Sequence, residues 1–389
     1  MKFRYAVLGA GRQGLSAAYD LGRFGNAEEI LLFDIDPQAA RDGAAKLNQL
    51  LGTGRVKGAA LDVRDKEKLE KALRGVRSTI SAVPYSMNRL ITECAIAEGS
   101  NLCDLGGHTE TVRQQIALGN AAQKAGVCIT PDCGMGPGLN INLGVYAMSF
   151  IEEPRDVFIW DGGLPQNPKP PWSYLSTFNI NGLTNEYYGD AEFIRDGKVT
   201  PVPTLTEIET LKFAPPLGRL EAAVTSGGLS TAPWTFAGKL RTLENKTLRY
   251  PGHWEQFKAF KDLGLFEENP VDINGSKIAP REVFHALLEP QITSTDIRDI
   301  CVIRTRCDGK TEGQNSSATL ELIETYDEGT GFTAMEKLTG WHASIVAILA
   351  AQGEIPKGGI PVEKALTPEL LKREAEKRGW DIKTQLVGG

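Results

Sequence analysis

Histidine is scarce: there are four among 389 residues, at 108, 253, 285 and 342, scattered so widely that a metal site has little support. Cysteine is little more frequent, with six at 94, 103, 128, 133, 301 and 307 and no C-x-x-C pair among them. Four of the six sit in apolar strand-like runs, so buried reduced thiols in a cytoplasmic protein are expected rather than disulfides. Long apolar runs are also missing; the longest candidate, around Ile345 to Ala351, is too short to span a membrane. No Lys/Arg stripe interrupts a net charge of −6, which argues against nucleic acid as a partner. The chain opens on a strand-like segment instead of a charged region, apolar core and cleavage site, so no secretory leader is expected. Internal repeats and low-complexity segments are absent. At 41% hydrophobic and 24% charged, the composition is ordinary for a globular protein, and 389 residues suffice for two domains with separate cores.

What is present begins at once. An apolar run, Tyr5-Ala6-Val7-Leu8, leads into Gly9-Ala10-Gly11-Arg12-Gln13-Gly14, a G-x-G-x-x-G placed where a first strand ends and a helix starts. Gly9 permits the tight turn, Gly11 lets backbone N–H groups approach a pyrophosphate, and Gly14 lets the helix pack close to the sheet. A second apolar run, Ile30-Leu31-Leu32-Phe33, ends at Asp34, twenty residues after Gly14, where an acidic residue meets ribose hydroxyls. A carboxylate there favours the 2′-OH of NAD and repels the 2′-phosphate of NADP. Ile35-Asp36-Pro37 supplies no base to neutralise such a phosphate, and the nearest is Arg41. NAD is the expected cofactor. Asp36, rather than Asp34, is the better cap for the helix beginning near Pro37.

Up to about residue 130 strands and helices alternate. Strand-like runs begin near Phe3, Glu29, Val56, Ser78, Asn101 and Val127, and helical periods fill Gln38–Leu50, Lys66–Leu73, Asn88–Glu98 and Thr109–Ala125. This rhythm predicts an α/β fold with a Rossmann-type, doubly wound parallel sheet. From Asp132 to Gly138 the chain is punctuated by Gly and Pro, and a helical run follows from about Leu139 to Phe150. Residues 131–339 then read as an α+β substrate domain with a mixed sheet. Asp196-Gly197 and Asp308-Gly309 are its turn signals, and Arg298–Cys307 and Ser316–Tyr326 are antiparallel partners. Helical runs at Gly340–Gln352 and Thr367–Arg378 are expected to fold back and complete the first domain, residues 1–130, with segment 340–389.

Ligands of a doubly wound sheet lie beyond the carboxyl ends of its strands. After the third strand come Asp62 and Val63, placed to flank adenine. After the fourth, Ala82, Val83 and Pro84 are compact enough for the nicotinamide ribose, and Tyr85 would stand beside the nicotinamide or simply pack on the sheet. After the fifth, Asp104-Leu105-Gly106-Gly107-His108 offers an acid and an imidazole for proton transfer, or caps for the next helix. Cys133, in the loop that crosses between domains, is placed to stand near substrate or to be a small packed thiol. In the second domain Gly162-Gly163-Leu164-Pro165, followed by prolines and Trp172, suits the wall of a small apolar slot. An inward-facing Arg249 must find a carboxylate from protein or substrate, with Arg241 as a second candidate and His253 nearby.

Together these residues resemble the saccharopine dehydrogenase family, within it most nearly the L-lysine 6-dehydrogenase branch. The resemblance runs over most of the chain. Its marks are Gly9–Gly14, Val83-Pro84-Tyr85, the crossover Cys133–Leu139, Gly162-Gly163-Leu164-Pro165, and Leu248-Arg249-Tyr250-Pro251-Gly252-His253. The resemblance implies a split Rossmann domain closed by C-terminal helices around a domain that also mediates dimerisation, hence a homodimer or higher homo-oligomer. It also implies NAD-dependent oxidation of an amine on a lysine-derived amino-acid substrate, with Asp104, His108 and Tyr85 as proton-handling and ammonium-binding candidates. Saccharopine dehydrogenase, carboxynorspermidine dehydrogenase and a catalytically silent NAD-binding sensor are the alternatives. A hydroxy-acid dehydrogenase would want a positioned His–Asp pair and an Arg against a two-carbon acid, of which the Pro-Trp loop offers no sign.

Overall fold

The computed structural model describes residues 1–177 and 179–388. Its first sheet is assembled from short apolar strands: β1 (Phe3–Leu8), β2 (Ala27–Asp34), β3 (Val56–Ala60), β4 (Ser78–Ser81), β5 (Asn101–Asp104) and β6 (Cys128–Thr130). All pair in parallel in the order β6-β5-β4-β1-β2-β3. The order reverses at β1, so the chain leaves β1 and β4 in opposite directions and opens a crevice between their carboxyl ends. Helices α1 (Arg12–Phe24), α2 (Pro37–Leu51), α3 (Lys66–Leu73), α4 (Asn88–Ala97), α5 (Thr109–Ala117) and α6 (Gly119–Ala125) make the crossovers. Asp36 caps α2 by accepting from the Gln38 N–H at 2.8 Å, Pro37 fills the first turn, and Gly52 ends the helix in the left-handed region at φ 62°.

The expected single helix over 109–125 is broken at Leu118. The reason is tertiary. A seventh strand, Gly358–Gly359, pairs with β6 and comes so close that a Cβ at Gly119 would lie 2.9 Å from the Gly359 nitrogen.

Helix α7 (Leu139–Met148) leads into the second sheet. Its strands are β7 (Glu153–Pro165), β8 (Asp190–Arg195), β9 (Lys198–Pro203), β10 (Glu209–Lys212), β11 (Arg219–Val224) and β12 (Thr242–Arg249). A separate hairpin, β13 (Val271–Ile273) and β14 (Ser276–Ile278), precedes the long pair β15 (Asp299–Thr311) and β16 (Gln314–Thr325). The sheet is mixed: β7 and β12 are parallel, and its other pairings are antiparallel. Asp196-Gly197 does join β8 to β9, but Asp308-Gly309 is no turn. It lies inside β15 at a register shift against β7, where a Cβ on Gly309 would stand 2.1 Å from the Glu153 carbonyl oxygen. Glu312-Gly313 makes the hairpin instead. Likewise Gly162–Pro165 is not a loop but the end of β7. A Cβ on Gly162 would meet the Leu248 carbonyl oxygen at 2.5 Å, so glycine serves close strand contact there.

Much of the last fifty residues returns to the first domain. Helix His342–Gln352 is buried almost throughout and lies over β4 and β5; the Cys103 thiol donates to the Ala343 carbonyl at 3.3 Å and Arg77 Nε to Ala351 at 3.0 Å. Helix Pro368–Arg378 docks through a fully buried Arg378–Asp20 pair at 2.6 Å. This segment also holds two strands that its helical pattern hides: Gly358–Gly359 in the first sheet, and Lys383–Val387 paired to β16 in the second. All six cysteines are free and buried. Among the described residues no helix is long and apolar enough to cross a membrane.

Candidate active site

The crevice is lined by backbone first. Gly9 has φ +104°, and a Cβ there would lie 2.6 Å from the Ala82 carbonyl oxygen and 3.4 Å from Val83, so the turns after β1 and β4 are pressed together. The Ala82 N–H donates to the Leu8 carbonyl at 2.7 Å. A Cβ on Gly14 would strike the Gly9 carbonyl oxygen at 1.9 Å, which makes glycine obligatory for the close packing of α1. Gly11 differs. A Cβ there would meet no protein atom within 4 Å, so the space beside it suits a group from outside the chain. Helix α1 starts directly after it, with no side-chain cap and no acidic residue in its first turn, presenting the N–H groups from Arg12 onward to an anion. Gln13 Oε1 is buried there without a hydrogen-bond partner, and Arg12 lies 3.8 Å from Glu336.

Asp34 is held beside this loop. Its Oδ2 accepts from the Ala10 N–H at 2.7 Å and its Oδ1 from the Asp36 N–H at 2.9 Å, leaving acceptor capacity on both oxygens. Ile35 next to it is 63% exposed, and Arg41 is turned to Gln38 Oε1 at 2.8 Å. At the end of β3, Asp62 is gripped by Arg64 through Nε and Nη2 at 2.9 and 2.7 Å, which pulls its carboxyl down to about 2, and Val63 is half-buried beside it. These residues fit a pyridine dinucleotide: uncapped N–H groups at the phosphate position, open space over Gly11, and a fixed carboxylate at the ribose position.

On the far side of the crevice Pro84 starts a short turn that presents Tyr85, whose ring stacks on His108 at 4.9 Å and 12°. His108 is exposed and caps α5: Nδ1 accepts from the Thr111 N–H at 3.3 Å, which leaves the proton of the neutral ring on Nε2. Asp104 is completely buried. Oδ1 accepts from the N–H groups of Gly106 (2.8 Å) and Asp132 (3.2 Å), and Oδ2 accepts from Gln115 Nε2 (2.7 Å). Burial nevertheless pushes its carboxyl up, because these three neutral donors offset only part of the lost hydration. Directly across stands Asp132, at φ +60°, whose Oδ1 presses on Gly106 and has no hydrogen-bond partner. Burial first, then repulsion from Asp104, pushes the Asp132 carboxyl up to about 7. The Cys133 thiol is fully buried and donates to the Thr130 carbonyl at 3.2 Å.

In the second domain, strand β12 delivers Arg249 into an aromatic box. The guanidinium, 3% exposed, donates to Tyr187 Oη and to the Leu248 carbonyl, each at 3.0 Å, and faces the rings of Tyr174, Trp254 and Tyr187 at 5.0, 5.8 and 5.9 Å. Among the described residues no carboxylate lies within 4.0 Å of it, although an unpaired buried guanidinium is costly. Two acids lie in its field. Asp161 on β7 accepts from Asn245 at 2.6 Å and presses its Oδ2 on Gly136 of the crossover; Glu186 ends α8 (Ile180–Glu186). Burial pushes Asp161 up to about 6 and Glu186 up to about 7, with Arg249 opposing the rise in both.

Residues 5–130 match the family model of the saccharopine dehydrogenase NADP binding domain, and residues 134–379 match the saccharopine dehydrogenase C-terminal domain. The chain belongs to the saccharopine dehydrogenase family. Within that family it is 28% identical over 224 residues to saccharopine dehydrogenase [NADP(+), L-glutamate-forming] of Schizosaccharomyces pombe, a match covering 54% of this chain and 48% of that protein. The Saccharomyces cerevisiae enzyme of the same name is 24% identical over 274 residues, covering 68% of this chain and 60% of that protein. The matched regions thus span about half of those two proteins' length. Among solved structures, apo saccharopine dehydrogenase (L-Glu forming) from S. cerevisiae superposes with a TM-score of 0.79 at 18% identity, covering 99% of this chain and 100% of that one. Homospermidine synthase from Legionella pneumophila, solved in complex with NAD, gives 0.66 at 11%, covering 100% and 92%. Both likenesses establish the shared fold.

Against this saccharopine dehydrogenase scaffold, the expected site residues separate. Tyr85, Asp104 and His108 do gather around the crossover; Cys133 lies there too, but its thiol is fully buried and bonded to the Thr130 carbonyl, the packed alternative rather than a substrate contact. Arg249 lies in the second domain as expected, joined by His253. That imidazole is buried, bonded to Tyr187 Oη at 3.0 Å and stacked on Phe257 at 4.1 Å; burial and Arg249 hold its pKa well down, so it braces Tyr187 as a neutral ring. Arg241 does not belong to the site. It is held bidentately by Asp156, with both contacts at 2.7 Å, and that pairing leaves it no unmet demand for a substrate carboxylate. Trp172 is half-buried at the rim of the second-domain aromatic core, where its indole lies against Phe260 at 5.8 Å and donates to Gln291 at 3.0 Å. Asp132, Asp161, Glu186 and Tyr187 join the site without having been expected there, and Tyr174, an aromatic at the end of the Pro-Trp segment, turns out to face Arg249. Asp132 had a usable signal, since it lies just beyond a strand's carboxyl end in the same sheet whose β2 and β5 end on Asp34 and Asp104; Asp161, Glu186 and Tyr187 meet only through strand pairing and the placement of α8.

Proposed function

We propose that this protein is an NAD-dependent dehydrogenase that removes the 6-amino group of L-lysine as ammonia. The observation that carries this reading is Arg249, a buried guanidinium without a protein carboxylate, in the domain that the crossover joins to the dinucleotide crevice. A substrate with an oxidisable amine at one end and a carboxylate at the other matches those two places. Asp34 and the absence of a neighbouring base support NAD over NADP, whatever nucleotide the yeast relatives' names carry.

The residues that would hold the dinucleotide are Gly9, Gly11, Arg12, Gln13 and Gly14 at the phosphates, Asp34 at the ribose, Asp62 and Val63 near adenine, and Ala82, Val83 and Pro84 toward the nicotinamide. When bound, it supplies the hydride acceptor. The substrate ammonium must first lose a proton, since only the neutral amine can give hydride from its adjacent carbon. Its ordinary pKa is about 10.4, so a nearby anion and a desolvated pocket must share that cost. We assign this to the Asp104–Asp132 pair, in which Asp132 carries the free oxygen and Asp104 sets its charge. The stacked Tyr85 and His108 form the outer wall that orients the amine. Water adds to the resulting iminium and ammonia leaves, so lysine, NAD and water become the 6-aldehyde, NADH, ammonium and a proton.

Saccharopine is the second reading, favoured by the activity for which the two yeast relatives are named. Following nicotinamide reduction with each of L-lysine and saccharopine, with NAD and with NADP, separates them. The proposal expects turnover with lysine and NAD. Turnover confined to saccharopine would replace it, and NAD binding with no turnover on any amine would favour a sensor.

A further inference from the structure

Arg249 accounts for one charge of a bound amino acid, and its surroundings are poorly suited to a carboxylate alone. Tyr187, which the guanidinium bonds at 3.0 Å, directly follows Glu186 at the end of α8, and Glu186 and Asp161 both lie in the field of Arg249, so an incoming carboxylate would meet like charge beside it. The two acids are not equivalent. Asp161 has Oδ1 held by Asn245, and its Oδ2 fills the space a side chain on Gly136 would take. Glu186 is partly buried at the end of α8, and among the described residues its carboxylate makes neither a hydrogen bond nor an ion pair. Tyr174 supplies a further unmet group. Its ring lies under Arg249 at 5.0 Å, and its buried hydroxyl has no group but that guanidinium to turn to. A buried phenol and a carboxylate left without partners around one guanidinium make a site whose missing members are an anion and a cation carried together.

We infer that Glu186 receives the α-ammonium group of an amino-acid substrate whose α-carboxylate is held by Arg249 and Tyr174. The inference rests on the amino-acid reading above and adds to it a discrimination between zwitterionic heads and simple acids. An α-amino acid brings one charge for each unmet group, leaving the net charge of the pocket unchanged. A des-amino acid brings only the charge that Glu186 opposes. The chain's preference for lysine over its des-amino analogue would therefore reside in one side chain.

The test compares wild-type and Glu186→Gln protein with L-lysine and with 6-aminohexanoate, which has the same reacting amine and carboxylate but no α-amine. The substitution is expected to lower kcat/KM for lysine by about 30-fold or more, mainly through KM, the scale for losing one partner of a buried charged pair. It should leave 6-aminohexanoate within about 3-fold or improve it, because a repulsion disappears. Equal losses on both substrates, or no loss on lysine, would overturn the assignment. Should the variant fail to fold, wild-type protein decides: L-norleucine should bind at least about tenfold more tightly than hexanoate by calorimetry, and equal affinities would overturn it. Wild-type protein that binds norleucine preferentially yet gives no NADH from lysine would instead sink the proposed reaction and leave the head-group site standing.

Discussion

Asp104→Asn separates an electrostatic role in proton handling from a structural brace, because the geometry allows both consequences to be worked out. In the native protein Oδ1 receives two backbone N–H groups and Oδ2 receives the Gln115 amide. An asparagine can keep its oxygen toward the two backbone donors. Its nitrogen then faces Gln115, whose own Oε1 is buried without a partner and becomes the acceptor if that amide turns over. The turn forfeits the Gln115 bond to Thr92 Oγ1, now 3.0 Å, so the net cost is one hydrogen bond, about 1 kcal/mol, partly offset by no longer burying a charge. Fold and NAD binding should survive. Turnover should not: kcat/KM with the amine substrate should fall by roughly two to four orders of magnitude, the usual scale for a lost acid–base or charge-pairing group. A second signature follows from Asp132. Repulsion from Asp104 helps hold that carboxyl up at about 7, so without the neighbouring charge it titrates lower. The acidic limb of the pH profile of kcat/KM, read by NADH absorbance, should accordingly move to lower pH. A variant with near-wild-type kcat/KM, an unmoved acidic limb and only a reduced melting temperature would refute the reasoning and make Asp104 a brace of the crossover.

Three further outcomes are expected. Replacing Asp34 by Ser together with Ile35 by Arg removes a repulsive charge and adds a phosphate partner, so the ratio of kcat/KM for NADP over NAD should rise by at least about tenfold; a wild-type enzyme already as good with NADP would contradict the premise. Asp132→Asn should raise thermal stability above pH 7 by up to a few kcal/mol while depressing turnover. The folded-state pKa, about 7, lies above the unfolded value near 3.9, so the penalty for burying the charge grows between those values, is complete above them, and vanishes near pH 4; thermal melts at both pH values check it, and a stabilisation that persists at pH 4 would point to another cause. Asp20→Asn strips a fully buried partner from Arg378, and although Glu374 remains at 2.8 Å, chemical denaturation should reveal a loss of about 3 kcal/mol with little change in KM.

The dinucleotide half was legible because its signals are local: glycine spacing, apolar strands and an acid after β2 lie within short windows and mean the same in any chain. Capping chemistry was legible too, as Asp36 shows. What escaped is tertiary. Gly358–Gly359 is too short to show a period, and Lys383–Val387 is an exposed edge without alternation. Asp308-Gly309 has turn chemistry, yet the approach of Glu153 makes it a bulge. Arg249 could be flagged as a buried charge, but its company could not. Asp161, Tyr174 and Glu186 are 88, 75 and 63 residues away in sequence and meet it only through strand pairing and helix placement. Arg241 shows the converse: an arginine of equal promise on paper that its neighbour Asp156 holds bidentately.

The central claim is that hydride and ammonia both come from the side-chain end of lysine. Its most direct test supplies L-lysine labelled with ¹⁵N at the 6-amino group or, separately, at the 2-amino group, together with NAD, and follows NADH and ammonium isotope in the same reaction. The account predicts one labelled ammonium per NADH from the 6-labelled substrate and none from the 2-labelled one. Label released from the 2-position, or ammonium absent while NADH accumulates, would contradict it.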